Sequence, residues 1–246
     1  MWLLYIVAFF GALQFLVAPL LVYMNLKNPA EAPWTHWDLT GKTKPRLASQ
    51  IKDTILAELA PLGFEIVGGL QGIAENIEMY EVHCGAVHDN DRASVATMII
   101  TSSNQEQRFV EFVTDFSGGS QITTSNVELP GAFIPRPGCQ NFHYPEIKDI
   151  SLLYRLHKAA GEKYGSGAVS ITGQSQTLPE RRNAEEAEIV EHQIACKRLK
   201  RRRDGSVSPT LLGAFQMTWL MAFPIAQVRK AFRNRKLQNL RNSLTG

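Results

Sequence analysis

The sequence predicts an α+β fold: an antiparallel meander of about five strands with helices on one face, joined to an N-terminal transmembrane helix and a C-terminal hydrophobic helix. Three observations lead there. Two uncharged hydrophobic segments, Trp2–Leu26 and Leu211–Val228, bracket a long stretch of ordinary aqueous composition. Within that stretch, runs with strand character are joined by connections too short for crossover helices, so successive strands must be antiparallel. Amphipathic helical periods lie before and after those runs. The organisation is a transmembrane helix at 1–27, a linker at 28–45, an α+β domain at 46–165 and a flexible linker at 166–179. A charged helix at 180–204, a hydrophobic membrane segment at 205–228 and a basic tail at 229–246 complete it.

The first segment carries no charge before Lys27, and at about 1.5 Å per residue it exceeds the roughly 30 Å hydrocarbon core of a bilayer. Trp2, Tyr5 and Tyr23 lie near its ends, where amphipathic rings favour the interface, and Gly11 and Pro19 are tolerable in a spanning helix. A cleaved signal peptide is the competing reading, with Ala30-Glu31-Ala32 as its site. Against it, no Lys or Arg precedes the apolar run, which is longer than the ~7–15 residue core of a signal peptide. Pro29, Pro33, Gly41 and Pro45 then mark a linker.

From Arg46, the residues Leu47, Ile51, Ile55, Leu56 and Leu59 recur at helical spacing, closed by Pro61 and Gly63. The strand runs are Phe64–Leu70, Glu78–Val87, Ala93–Ser102, Gln107–Phe116 and Gln121–Leu129, punctuated by Asp89-Asn90-Asp91, Ser102-Ser103-Asn104 and Ser117-Gly118-Gly119. Alternation places Tyr80, Val82, Cys84 and Ala86 on one face of their strand, and Val110, Phe112 and Phe116 on one face of theirs. Pro130, Pro135, Pro137 and Pro145 fix an extended loop that carries Phe133, Phe142 and Tyr144. That loop either covers the sheet or offers its aromatics to a partner. A helix over Lys148–Tyr164 follows, with Ile150, Leu153, Tyr154 and His157 on one stripe. The chain is Gly- and Ser-rich after Gly165, and Pro179 opens a polar spacer helix, acidic in its first turns, basic at its end and broken by Gly205 and Pro209.

The second hydrophobic segment is 18 residues long, near the lower limit for spanning. Lys197, Arg198, Lys200, Arg201, Arg202 and Arg203 precede it, and Arg229, Lys230, Arg233, Arg235 and Lys236 follow it. The positive-inside rule asks for both flanks to be cytoplasmic, which a single traverse cannot give. Two solutions stand: a re-entrant or interfacial helix, or a true span in which one basic flank is translocated. Lys27, Lys42, Lys44 and Arg46 follow the first segment while nothing positive precedes it, so the main domain is expected in the cytoplasm. Cys84, Cys139 and Cys196, odd in number, do not read as a disulfide framework, although a Cys84–Cys139 bridge would place the domain outside.

Charge is divided along the chain. Residues 28–179 hold 11 Lys/Arg and 17 Asp/Glu, whereas residues 180–246 hold 14 and 6. Basic clusters beside an apolar segment gain about 1 kcal/mol per charge from anionic lipid, so membrane lipid is the expected partner and nucleic acid is not. The expected head-group contacts are Lys197, Arg198, Lys200, Arg201, Arg202, Arg203, Arg229 and Lys230.

No motif fixes a chemistry. His83 and Cys84 are neighbours in a strand and point to opposite faces, and Cys139 with His143 supplies only two ligands, so no metal is expected. Asp89-Asn90-Asp91 lacks the glycine and the late glutamate of a calcium loop and reads as a hairpin turn. Glu111 and Asp115 share a mixed face without an identifiable partner, Thr123-Thr124-Ser125-Asn126 has no base beside it, and Gly68-Gly69 and Gly118-Gly119 are too short for phosphate loops. No cofactor and no catalytic residue follow from these patterns.

The stretch RFVEFVTDFSGGSQITTSN, continued by GAFIPRPG and the ISLLYRLHKA helix, resembles a small α+β domain of uncharacterised, membrane-anchored bacterial proteins over roughly residues 105–160. The resemblance implies an inner-membrane protein and brings no assigned activity. It adds Thr123, Thr124, Asn126, Arg136, Tyr154 and His157 as surface contacts. The expected function is therefore a non-enzymatic interaction module at the inner membrane, which binds a protein or lipid partner through Phe133, Arg136, Phe142, His143, Tyr144 and His157. The alternative is a small-ligand binder or enzyme with a site between the sheet and the loop 130–145, where His143, His157 and Asp115 are the first residues to test. A subunit that stabilises a larger membrane assembly is a third reading.

Overall fold

Alternating strands and two amphipathic helices account for most of the fold. The computed structural model describes residues 1–25, 34–40, 42, 44–74, 77–87, 91–117, 119–127, 133–165, 177–221 and 225–245. The Ala30-Glu31-Ala32 site, residues 28–33, 41 and 43 of the first linker, 166–176 of the second, Asp89-Asn90, Gly118 and Pro130 lie outside those residues. The chain divides into two units. One comprises Pro33–Leu129, Pro135–Glu185 and Lys236–Gly246, and the other Met1–Ala32, Pro130–Ile134 and Glu186–Arg235.

The first unit is an α+β sheet domain. Its strands are β1 Thr35–Trp37, β2 Phe64–Ala74, β3 Ile77–Ala86, β4 Arg92–Ile100, β5 Gln105–Asp115, β6 Gln121–Ser125 and β7 Cys139–His143. They form one sheet in the order β1 to β7, with every neighbouring pair antiparallel except β6–β7, which is parallel. The sheet thus has seven strands where five were expected. β1 lies in the expected linker, and β7 lies in the Pro-rich loop. A parallel pair needs a crossover of a dozen or so residues, and the loop after Ser125 is that crossover. The expected helix at Arg46 is α3, Pro45–Thr54, continued by a π-helical turn at Ile55–Leu59, and the next helix is α4, Ile150–Tyr164.

The core forms on one face of this sheet. Tyr80, Val82 and Cys84 of β3, Ala93 and Val95 of β4, and Val110 and Phe112 of β5 pack against Leu47, Ile51, Ile55 and Leu59 and against Leu153, Leu156 and Ala160 of α4. Each fully buried Leu, Ile or Phe contributes about 1.5–3 kcal/mol of transfer free energy. Leu56, expected on the same stripe, is instead exposed. Leu237 and Leu240 belong to this core as well. Phe142 and Tyr144 are also core residues, so this part of the Pro-rich loop covers the sheet edge.

The opposite face is covered too, so helices do not lie on one face only. Helix α5, Leu178–Ala195, sets Leu178 close above Gly68, where a Cβ would lie 2.8 Å from its side chain. Gly69 is bare because Trp37 and Leu39 approach it equally closely. At Gly69 only glycine leaves room, because the Trp37 carbonyl is backbone, whereas at Gly68 the flexible end of Leu178 makes the contact; the pair thus has a packing role.

The second unit is built from apolar helices and a small hairpin. Trp2–Ala12 (α1), a π-helical stretch Leu13–Val17 and Ala18–Asn25 (α2) follow one another. The expected charged helix at 180–204 ends at Ala195, and the basic run turns into a hairpin of β8, Leu199–Arg201, and β9, Val207–Pro209. Gly205, at φ +82°, makes the turn, and Pro209 belongs to β9, so both form the hairpin where they were expected to break a helix. Helix α6, Leu211–Met221, is capped by Thr210, whose hydroxyl accepts from Gly213 N at 2.9 Å and donates to Lys197 O at 2.7 Å. Helix α7, Ile225–Thr245, is bent from α6 by 62°. Among the described residues no single helix is long and apolar enough to cross a membrane: the apolar stretch Phe9–Met24 is short, and only the bent pair α6–α7 passes by length and composition together.

A Cβ on Gly213 would overlap the backbone carbonyl of Arg198. Gly213→Ala is therefore expected to push α6 off the hairpin at a cost of about 1–3 kcal/mol. Faster tryptic cleavage within 197–203 of the variant would report it, and an unchanged cleavage rate would refute it.

Candidate functional site

The face of the sheet away from the core carries a row of polar side chains built by strand register. His83 pairs with Ser94, Ser94 with Glu111, Glu111 with Ser125 and Ser125 with His143, so five strands present one polar row. Ser125 Oγ lies 2.9 Å from His143 Nδ1. Beside this row run two ion-pair chains. Arg92 donates to Asp115 at 2.7 Å and to Glu185 of α5 at 3.0 Å, and Gln121 donates to Asp115 at 2.8 Å. His83 Nε2 lies 3.0 Å from Glu81, which also pairs with Arg182 at 3.4 Å, while the Arg182 guanidinium lies 4.6 Å from the Trp34 ring centroid.

Between these chains lies a small, solvent-open hollow of about 30 Å³ lined by Glu81, His83, Arg92, Ser94, Glu111, Arg182 and Glu185 among others. Its two inner carboxyls are driven apart. Burial works against the Glu81 charge, but Arg182 and His83 outweigh it and hold the group down at about 2. Burial raises Glu111 to about 7; Arg182 and Arg92 oppose the rise, and Glu81 and Glu185 add to it. One carboxyl is thus a fixed anion and the other exchanges a proton near neutrality, the pattern that acid–base sites use. As it stands the hollow has room for little more than one or two water molecules.

A second polar cluster lies within the core. Thr114 Oγ1 donates to Asp91 at 2.5 Å and lies 2.8 Å from His157 Nε2, while His157 Nδ1 lies 3.1 Å from Thr124 Oγ1. Tyr154 and Lys158 donate to the other Asp91 oxygen at 3.0 and 3.2 Å. Burial holds His157 neutral, down at about 4, although Asp91 favours its charge. With the one Thr114 proton given to Asp91, Nε2 must donate to Thr114 and Nδ1 must accept from Thr124. The Thr114 proton therefore points away from the imidazole, so this is no nucleophile–base pair. Asp91, Thr114, Thr124 and His157 are buried, and the cluster ties α4 to β5 and β6.

The expected site residues separate accordingly. His157 lies on the core face, whereas Asp115 and His143 lie on the other, beside Gln121 and Ser125, about 13 Å apart at ~3.3 Å per residue. The structure does not bring these three together. Phe142, Tyr144 and His157 are buried, Phe133 is exposed, and Arg136 and His143 are half-buried. Thr123 and Thr124 are buried as well. Cys139 and His143 sit at the two ends of an extended strand, and among the described residues no group of three His, Cys, Asp or Glu is arranged to hold a metal. Cys84 faces the core and Cys139 pairs with Gln121 on the other face, so the two thiols are free. Burial raises the Cys84 thiol to about 12.

No family model, no curated protein and no solved structure matches this chain. The functional reading therefore rests on geometry alone. Sequence reasoning missed Glu81, Arg92 and Arg182; the available signal was the period-2 placement of charge opposite the core residues of β3 and β4.

Among the expected lipid contacts, Lys197, Lys200, Arg201, Arg203 and Lys230 are exposed. Arg202 donates to Ser208 at 3.0 Å, Arg201 pairs with Glu191, and the Lys200 ammonium stands 4.9 Å from the Tyr23 ring centroid at the end of α2.

Proposed function

We propose that this protein is a membrane-anchored interaction module, with a sheet domain held at the cytoplasmic face of an inner membrane and anionic lipid or a membrane protein as its partner. The observation that carries the reading is the surface of the N-terminal helices. Trp2, Tyr5, Phe9, Phe10, Leu13, Leu16, Val17, Leu20, Leu21 and Met24 are all exposed, far more apolar surface than an aqueous monomer leaves uncovered. Tyr23 with Lys200 forms the aromatic–basic pairing expected at a head-group boundary. The protein is expected to stay with membranes through an alkaline wash and to co-purify with anionic lipid. Lys200→Gln, Arg203→Gln and Lys230→Gln are each expected to weaken that lipid enrichment about fivefold, at about 1 kcal/mol per charge. Release by the alkaline wash, or equal retention of neutral and anionic lipid, would overturn the proposal.

A second reading, a small-ligand binder or acid–base site, is favoured by the hollow at Glu111 rather than by the Pro-rich loop. A saturable thermal shift of the full chain with small amines or carboxylic acids, abolished by Glu111→Gln, would support it. No shift with either class removes it.

A further inference from the structure

The second hydrophobic segment has two basic flanks and only enough length for a marginal span. Three independent observations bear on its path. Helix α6 starts beside the basic hairpin and reaches the N-terminal helix part-way along. Trp219 donates its indole N–H to Phe15 O at 3.0 Å, and its ring lies 6.4 Å from that of Phe15. Phe15 stands ten residues before Asn25, about 15 Å at 1.5 Å per residue, or half of a roughly 30 Å core. The carbonyl it offers belongs to the π-helical stretch Leu13–Val17. Second, the axes of Leu211–Leu220 and Ile225–Leu240 differ by 62°. Third, α7 returns to the sheet domain: Leu237 and Leu240 are 5% and 0% exposed within its core, and Lys236 lies 4.1 Å from the Phe142 ring centroid. Helix α5, which leads from the sheet domain to the hairpin before α6, carries Glu180, Arg181, Arg182, Glu185, Glu186, Glu188 and Glu191 and is too polar to cross a bilayer, so the chain enters α6 from the side of the sheet domain and ends α7 in that domain's core.

We infer that α6 and α7 form a re-entrant segment that dips into one leaflet, to about the depth of Phe15, and rises again on the side of the sheet domain. This rests on the membrane anchoring proposed above. Between the start of α7 and the domain, Val228 and Phe232 are 53% and 64% exposed, with Lys230 exposed beside them, the make-up of an interfacial helix that sets apolar side chains between acyl chains and basic ones among anionic head groups. Both basic flanks then face one leaflet, which removes the conflict with the positive-inside rule.

The test is sidedness in the full-length protein. Ser103→Cys, in the exposed turn between β4 and β5, and Asn239→Cys, on the exposed side of α7, are labelled with an impermeant maleimide in right-side-out and inverted vesicles, and the labelled peptides are identified by mass. The expected result is labelling of both positions in one orientation and protection of both in the other. Labelling from opposite sides would make α6–α7 a true span and overturn the inference. Thr101→Cys with Gln238→Cys gives the same reading should the first pair fold poorly. Loss of the protein from both vesicle types on alkaline washing overturns the anchoring itself, a result that no pattern of labelling within retained protein can mimic.

Discussion

Replacing Asp91 by Ala is expected to lower the melting temperature of the sheet domain by roughly 10 °C, from a loss of about 4 kcal/mol. Asp91 is 3% exposed and accepts from Thr114, Tyr154 and Lys158, which joins the start of β4 to β5 and α4. Without the carboxylate, the hydroxyls of Thr114 and Tyr154 lose their acceptor, each at about 1–3 kcal/mol, and the shape left behind adds a cavity. Lys158, 43% exposed, turns to water and adds little. Asp91→Asn keeps one carbonyl acceptor and is expected to lose less than half as much. Burial opposes the Asp91 charge, but Thr114, His157, Lys158 and Tyr154 together hold its carboxyl below the ordinary 3.8. A depressed acid stabilises above its unfolded value and loses that contribution as pH falls through the folded one, so the D91A and wild-type curves should converge only in strong acid. Thermal unfolding of the detergent-solubilised chain checks this, and a melting temperature within a degree or two of wild type would sink it.

The parts of the fold legible in the sequence were those in which one face is apolar. Leu47, Ile51 and Ile55, the alternation of Tyr80, Val82 and Cys84, and the stripe of Ile150, Leu153 and His157 each point into the core as their periods require. What period cannot give is what covers the other face. Glu111 and Asp115 read as a mixed face without a partner because the helix that carries Arg182 and Glu185 reads as a polar spacer, whereas Arg92 joins Asp115 to Glu185 and Glu81 pairs with Arg182 in one charged layer. β7 was hidden for a different reason: Cys139-Gln140-Asn141-Phe142-His143 has little intrinsic strand preference and is held by its pairing with β6 and by burial of Phe142. The basic run KRLKRRR resembled a helix terminus; Leu199 buried against Val207 and Met217, and the turn at Gly205, make it a hairpin instead.

Glu111→Gln is expected to stabilise the protein at neutral pH, by up to about 3 kcal/mol, and to change the shape of its stability curve. The sign follows from the raised group: burial holds folded Glu111 at about 7 against 4.5 when unfolded. Between those values the folded state keeps a proton that the unfolded state has lost, so stability falls as pH rises, and above 7 the full penalty persists. His157 slopes the other way. It is held near 4 when folded against 6.5 when unfolded, so stability is lost as pH falls through that range. The two slopes oppose each other from 4.5 to 6.5 and leave wild type nearly flat there, whereas the variant, with only the His157 slope, should gain about 1.4 kcal/mol per pH unit. Melting temperatures measured from pH 4.5 to 8 decide the matter: curves that run parallel would mean that Glu111 does not titrate in the hollow. Because the amide would be the more stable choice at neutral pH, a carboxyl at this position is a local departure from what folding alone favours. Such departures gather where a protein binds a ligand or moves a proton, which makes Glu111 the first residue at which to look for either.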